Sequence, residues 1–315
     1  MGREQHRPSG GAFTADGCYD ELTADDVRDA ADLLSGVYEK TKHLDGYVSI
    51  EVLPAYAHDP ERTVAYARHI FNKVGRPNVM IKVPGTMESP EAIRALIYDG
   101  ISVNVTLLFS VFQYERCAKS FLQGLIKAVS EGRDVTKTAS VASMFISRID
   151  SKVDSLLDAF ASRENQLEKK GAIMALKGKV AVANAKMIYR SYKDLFAPAK
   201  FMDLYMKGGR PQRVLWASTG TKNPLYNDCL YVDELIGPMT VNTMPHATVL
   251  AFEDHGKPAL TLESGRSEAE QVLIFLEQLG VSLDRICEEA QDEGVKAFEQ
   301  SFETLMKSIA AKVGS

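Results

Sequence analysis

The chain has 315 residues, 45% of them hydrophobic and 25% charged, with a formal net charge of −5. That length and apolar content support a sizeable core and argue against a disordered protein. The acidic balance, without any long basic run, argues against nucleic acid or an anionic membrane as the main partner. Cys18, Cys117, Cys229 and Cys287 are far apart and lack metal-ligand spacing. With no signal peptide and no long apolar run, they read as reduced thiols of a cytoplasmic protein.

In chain order, residues 1–22 read as a poorly ordered arm. Met1 to Asp26 holds no Val or Ile, and Arg7-Pro-Ser-Gly-Gly11 is loop chemistry. Thr23-Ala-Asp-Asp26 offers a helix start, followed by Val27, Ala30, Ala31 and Leu34 at helical spacing. Residues 23–315 are expected to form a single domain. Tyr47-Val-Ser-Ile-Glu-Val52 reads as a strand, and Asp59-Pro-Glu caps a helix to about Val74. Asn78-Val-Met-Ile-Lys-Val-Pro-Gly-Thr86 is a short apolar run bounded by breakers, the pattern of a strand buried on both faces.

The same alternation continues. A helix runs from Ser89 to about Asp99, a strand over Ile101–Phe109, a helix over Ser110–Ser130 and a strand within Thr138–Ile149. A largely helical region spans Ser151–Tyr205, in which the charged Ser162–Gly178 reads as loop or frayed helix. Arg213–Ser218 is a strand, Asp228–Ile236 a short helix and Val241–Met244 the last strand, with helices over Ser267–Leu279 and Leu283–Ala311. Strand–helix alternation of this kind implies parallel strands with right-handed crossovers. No glycine-rich phosphate loop follows the first strand, which weakens a dinucleotide-binding sheet. Glu51, Lys82, Asn104, Thr106, Ser143 and Ser218 fall within or near C-terminal strand ends, where barrel enzymes carry their chemistry. A (β/α) barrel accounts for them better than a doubly wound sheet.

Lys82 interrupts an apolar strand, and burying an ammonium is costly unless it is paired or neutral. It reads either as a strand-end lysine reaching water or as a desolvated amine suited to Schiff-base chemistry. Asn104 and Thr106 share one strand face, which in a barrel is the lumen. Ser143 and Arg148 flank an apolar Met144-Phe-Ile146, and an arginine there is most often in a surface ion pair. Ser218-Thr-Gly-Thr-Lys222 is a strand end running into a Ser/Thr/Gly/Lys loop, a fair anion site.

Val79-Met-Ile-Lys-Val-Pro-Gly-Thr86, Ile101-Ser-Val-Asn-Val-Thr-Leu-Leu-Phe-Ser110, Ser140-Val-Ala-Ser-Met-Phe-Ile-Ser-Arg-Ile-Asp150 and Leu215-Trp-Ala-Ser-Thr-Gly-Thr-Lys-Asn-Pro224 together resemble the transaldolase family, in its longer actinobacterial type. Tyr231-Val-Asp-Glu-Leu235 and Val241-Asn-Thr-Met-Pro245 agree, so the resemblance runs from about Cys18 to the C terminus. It implies an eight-stranded TIM-type (β/α) barrel of the class I aldolase kind, acting on sugar phosphates in the pentose phosphate pathway. The implied reaction moves a dihydroxyacetone unit from sedoheptulose 7-phosphate or fructose 6-phosphate to an aldose phosphate such as glyceraldehyde 3-phosphate. It runs through a covalent Schiff base on Lys82, with no metal and no organic cofactor. By the resemblance, Glu51 and Thr106 handle a catalytic water, Asn104 and Ser143 hold the dihydroxyacetone hydroxyls, and Arg148, Ser218 and Lys222 hold the phosphate.

Only six of the eight barrel strands are found, at Tyr47, Val79, Ile101, Thr138, Arg213 and Val241. The family's first strand, ending in an acid/base aspartate, and its second, with a Thr-Asn-Pro turn, find no match. The expected explanations are a longer natural chain, a second chain filling the gap, or a repurposed member. As written, the chain is expected to form the Schiff base and to cleave poorly. Alternative functions are therefore a transaldolase-like aldolase or transferase of a secondary-metabolism sugar pathway, and an inactive barrel with a binding role. The C-terminal helices, with Leu273, Leu276, Phe298, Phe302 and Leu305 at helical spacing, are expected to cover the barrel, with a homodimer interface as the alternative.

Overall fold

The computed structural model describes residues 14–313. Among them, six parallel strands pair in sequence order: β1 (Val48–Glu51), β2 (Val79–Pro84), β3 (Val103–Leu108), β4 (Ser140–Phe145), β5 (Arg213–Ala217) and β6 (Thr240–Asn242). Helix α1 (Ala15–Lys40) precedes β1. The crossovers are α2 (Pro60–Val74), α3 (Ser89–Tyr98), α4 (Val111–Ser130), then α5 (Ser147–Arg163), α6 (Leu167–Met174), α7 (Val180–Leu195) and α8 (Pro198–Met206) between β4 and β5. A short α9 (Leu230–Glu234) leads to β6, and α10 (His246–His255), α11 (Arg266–Gln278) and α12 (Leu283–Val313) follow it.

Local chemistry sets these boundaries. Asp59 accepts the Arg62 N–H at 3.0 Å, Pro60 supplies a first-turn residue that needs no donor, and Gly75 at φ 64 ends α2. At the start of α4, Ser110 and Gln113 satisfy each other's backbone N–H groups in a capping box. Outward-facing Val79, Ile81, Val83, Val103 and Val105 then pack on Ile70, Ile93, Leu96, Ile97 and Phe121 of the helices. Ile81 is completely buried. Its replacement by alanine is expected to cost about 2–5 kcal/mol.

The sheet is curled. On its inner face Met80, Val141, Leu215 and Ala217 form a second cluster, joined by Tyr47 and Val241. Arg213, in register with inward-facing Val141, opens β5. It donates to Leu44 O at 2.6 Å and pairs with Asp45 at 3.2 Å, both just ahead of β1. A flat sheet would hold those two places four strands apart, roughly 19 Å. The strand–helix alternation, the six strand positions and the inward polar face read from the sequence all appear.

One expectation needs correction, one is decided between its alternatives, and one element was not expected. The first helix begins at Ala15, not Thr23, with Thr14 accepting the Gly17 N–H at 3.1 Å. Thr23 lies inside it, its hydroxyl donating back to the Tyr19 carbonyl. The expected arm is therefore helical from Ala15, and its residues 1–13 lie outside the described residues. Second, of the loop and frayed-helix readings of the charged stretch after Ser162, the structure shows a helix, the exposed α6. Third, α10 was not legible, because Thr248 is its one buried residue and no apolar face repeats along it.

Candidate active site

Sheet register assembles the polar groups. Glu51 pairs across to Lys82, and Lys82 across to Asn104, so adjacent strands present these three side chains in one row on the inner face. Lys82 Nζ lies 2.5 Å from Glu51 Oε1. The lysine is therefore paired, and its side chain keeps 24% exposure against 30% for the glutamate. The side chain is mostly withdrawn from water and faces a carboxylate on the neighbouring strand. Asn104 is fixed from both sides: its amide donates to Ser49 Oγ at 3.1 Å, and its oxygen accepts from Ser143 Oγ at 2.6 Å.

One step further along β3, Thr106 is in register with Pro84 and buried at 3% exposure. Its Oγ1 has no hydrogen-bond partner among the described residues. A buried hydroxyl left so costs about 1–3 kcal/mol. Lys82, Glu51, Thr106, Pro84 and Leu107 line a cavity of about 20 Å³, roofed by Val295 and Phe298 of α12. That volume suits about one water molecule.

Beyond Thr106 the strand breaks register between Val105 and Leu108. Leu107 adopts φ 58, a left-handed conformation worth about 1–2 kcal/mol of strain for a residue with a Cβ. Tyr19 of α1 also lies nearby, its phenol pushed up by burial and then by the Glu51 charge.

The second group gathers on β4, β5 and the helix that follows β4. Arg148, in the first turn of α5, lies with its guanidinium 5.1 Å from the Phe145 ring centre. Among the described residues no carboxylate pairs with it, so the surface ion pair considered from sequence is not formed. Ser218 has φ 56, and its Oγ lies 2.9 Å from Ser147 Oγ, beside Arg148. The loop after it is pinned by two tyrosines: Tyr226 donates to Asp154 at 2.5 Å and Tyr231 to Asp150 at 2.9 Å, both acids on α5. Burial pushes Asp150 up to about 7, against the Ala181 N–H and Tyr231 hydroxyl that favour its charged form. The two groups meet over Gly294 of α12, where a Cβ would lie 2.9 Å from Leu107 Cδ2 and 3.5 Å from Arg148 Nη1.

Glu51, Lys82, Asn104, Thr106 and Ser143 thus form one cluster, and Arg148 and Ser218 adjoin it. Lys222 is exposed, and among the described residues no hydrogen bond or ion pair ties it to the other seven. The sequence reading missed Ser49, two residues before Glu51 and hence on the same strand face. It also missed Val295, whereas Phe298, expected from its helical spacing to cover the barrel, does lie over the cavity. For a metal, the described residues offer one group, Asp228, Cys229 and His255, with ligand atoms within 4.8 Å of one another. The His255–Asp228 contact at 2.7 Å already accounts for two of them.

A family model described as transaldolase/fructose-6-phosphate aldolase matches residues 5–309. The chain belongs to this family. Transaldolase 2 of a Nostoc species is 45% identical over 298 residues, covering 94% of this chain and 78% of the relative. Transaldolases of Frankia alni and Thermobifida fusca are 45% and 46% identical, each covering 93% of this chain and 77% and 78% of their own lengths. The transaldolase family folds as a TIM barrel, and the curled parallel sheet with alternating helices is that α/β architecture over the described residues. Transaldolases are transferases that act on sugar phosphates through a Schiff base, so the resemblance seen in the strand motifs is confirmed at the level of family and enzyme class. Among the described residues no helix is long and apolar enough to cross a membrane.

Proposed function

We propose that this chain is a transaldolase in which Lys82 forms the Schiff base with a ketose phosphate. The observation that carries the reading is the row Glu51–Lys82–Asn104 with the partnerless Thr106 hydroxyl at its end. Lys82, as the free amine, attacks the C2 carbonyl of fructose 6-phosphate or sedoheptulose 7-phosphate. Glu51, 2.5 Å away, is placed to take the ammonium proton and return it to the carbinolamine hydroxyl, which leaves as water. Thr106 and Glu51 line the space that suits that water, and the same pair supplies it again for hydrolysis. Cleavage of the C3–C4 bond passes the C4 hydroxyl proton to a base, for which Glu51 is the carboxylate beside Lys82 in the absence of a match to the family's acid/base aspartate, releases an aldose phosphate and leaves a three-carbon enamine on Lys82. The enamine carbon then attacks the aldehyde of an acceptor such as glyceraldehyde 3-phosphate. Between cleavage and transfer the three-carbon unit stays bound to Lys82, and the iminium itself is the electron sink, so the proposed reaction calls on no metal and no organic cofactor.

Asn104 and Ser143, already bonded to each other, present an amide and a hydroxyl for the hydroxyls of the dihydroxyacetone unit. Arg148, without a carboxylate partner, and Ser218 would take the phosphate, with exposed Lys222 at the loop's edge. Anchoring a remote phosphate lets its binding energy orient the reacting carbons. The pentose phosphate pathway of the cytoplasm is the corresponding setting, consistent with four free cysteines. One domain spanning 15–313 is the unit proposed to carry this chemistry.

The test is to supply fructose 6-phosphate with erythrose 4-phosphate and measure glyceraldehyde 3-phosphate and sedoheptulose 7-phosphate. Matched formation of both supports transfer. Free dihydroxyacetone, without the seven-carbon product, would instead mark an aldolase.

A further inference from the structure

Helix α12 does more than roof the cavity. Gln291 is buried, and its carboxamide Nε2 donates to Leu107 O at 2.7 Å and to Gly85 O at 3.0 Å. These carbonyls belong to two different strand ends. Leu107 directly follows Thr106, and Gly85 lies three residues beyond Lys82. The Gly85 N–H in turn donates to Thr106 O at 2.7 Å. One side chain therefore closes a small loop of bonds through both strands that hold the candidate reacting groups.

The bond to Leu107 falls where the backbone has least support of its own. There β3 breaks register and Leu107 sits at φ 58. Sheet hydrogen bonding alone does not fix the tilt of such a peptide, so a donor from outside the sheet decides where the preceding residue's side chain points. Gly85 O also accepts from Arg116 at 2.8 Å, whereas Gln291 is the side-chain donor the structure gives to Leu107 O. Gly294, one turn along α12, lets the helix approach closely enough for this contact, with a built Cβ only 2.9 Å from Leu107 Cδ2. Gln291 is uncharged in a run of acidic residues, Glu288-Glu-Ala-Gln-Asp-Glu293. Either neighbouring acid type at this place would face two carbonyl oxygens with no proton to share.

We propose that Gln291 is a positioning residue for the Lys82–Thr106 pair, latching the ends of β2 and β3 so that the amine and the hydroxyl face the same water-sized space. The inference rests on the reading of Lys82 as the Schiff-base lysine. Misplacing a reacting group by about 1 Å can cost roughly 10²-fold in rate, and that sets the expected size.

The test compares borohydride trapping by fructose 6-phosphate in the full chain, in Gln291→Met and in Ile286→Ala. Methionine keeps the volume and removes both donors. Ile286 is a buried α12 residue outside the site and serves as the stability control. For Gln291→Met, the maximal trapping rate should fall roughly 10- to 100-fold while the half-saturating sugar concentration stays within about threefold. Ile286→Ala, matched for thermal destabilisation, should keep its trapping rate. An unchanged rate in Gln291→Met, with normal trapping in the unmodified chain, overturns the latch alone. Equal rate losses in both variants also overturn it, because they assign Gln291 to stability. No adduct in the unmodified chain overturns the reading of Lys82 and the latch with it.

Discussion

The two halves of the candidate site are built on different principles. Around Lys82 the sheet does the placing: Glu51, Lys82 and Asn104 stand side by side because β1, β2 and β3 are in register, and α12 closes over them. Around Arg148 and Ser218 the groups come from a helix start and a strand-end loop, pinned by the Tyr226–Asp154 and Tyr231–Asp150 bonds. The first half has little freedom and carries an unsatisfied hydroxyl. The second ends in an exposed lysine and is held by bonds to the buried acids Asp150 and Asp154. Bond making belongs where geometry is fixed by a ladder of backbone bonds. On the proposed reading, phosphate capture falls to a helix start and a loop held by side-chain bonds, where an anion can be met by several donors.

That contrast can be broken most decisively at Thr106. Thr106→Val keeps the shape and removes a buried hydroxyl without a partner, so the melting temperature should hold or rise. The rate of Schiff-base formation should nevertheless fall roughly 10²-fold. A thermal melt alongside a trapping assay reads both. A loss of stability with no loss of rate would make Thr106 a core residue and erase the distinction between the halves.

In the second half, Arg148→Gln is expected to raise the half-saturating concentration of fructose 6-phosphate roughly 10-fold or more. Unphosphorylated fructose should be nearly indifferent to it. Lys222→Gln should shift the phosphorylated sugar by only a few-fold, because an exposed charge is screened by water and salt. Steady-state measurements with both sugars separate the two cations. Equal effects would mean that partial burial of Arg148 confers no advantage.

The smallest effect concerns the scaffold of the phosphate half. Asp150 has a folded pKa raised from 3.8 to about 7 by burial. Between those values the folded chain holds a proton that the unfolded chain has lost. Its contribution to stability is therefore full below about pH 4 and is lost as pH rises through 7. Asp150→Asn removes that dependence, so its melting temperature relative to the parent should climb by several degrees from pH 5 to pH 8. Parallel melting curves across that range would show that Asp150 keeps an ordinary carboxyl.

The same contrast explains what could be read from the sequence. The Lys82 half was legible because strand alternation is a period of two: once Lys82, Asn104 and Thr106 lie on strands, their shared face follows. Motif resemblance then supplied roles that spacing alone does not, above all for Glu51, whose sequence fits an edge-strand charge as well. Gln291 and Ser49 escaped because their value depends on what they touch, and a helix 206 residues beyond Gly85 leaves no local trace of the contact. Helix α1 began earlier than expected because its first two turns are held by Thr14 capping and by tertiary partners such as Tyr66, which donates to Asp20, rather than by an apolar stripe. Helix α10 offered no stripe at all.

The central claim is that Lys82 is the nucleophile, and one measurement reaches it directly. The chain is incubated with fructose 6-phosphate, reduced with borohydride, digested and mapped by mass spectrometry. The expected result is a single reduced sugar-derived adduct on the peptide holding Asn78–Thr86, at Lys82, absent from Lys82→Ala. An adduct on another lysine, or an equal yield in Lys82→Ala, would contradict it.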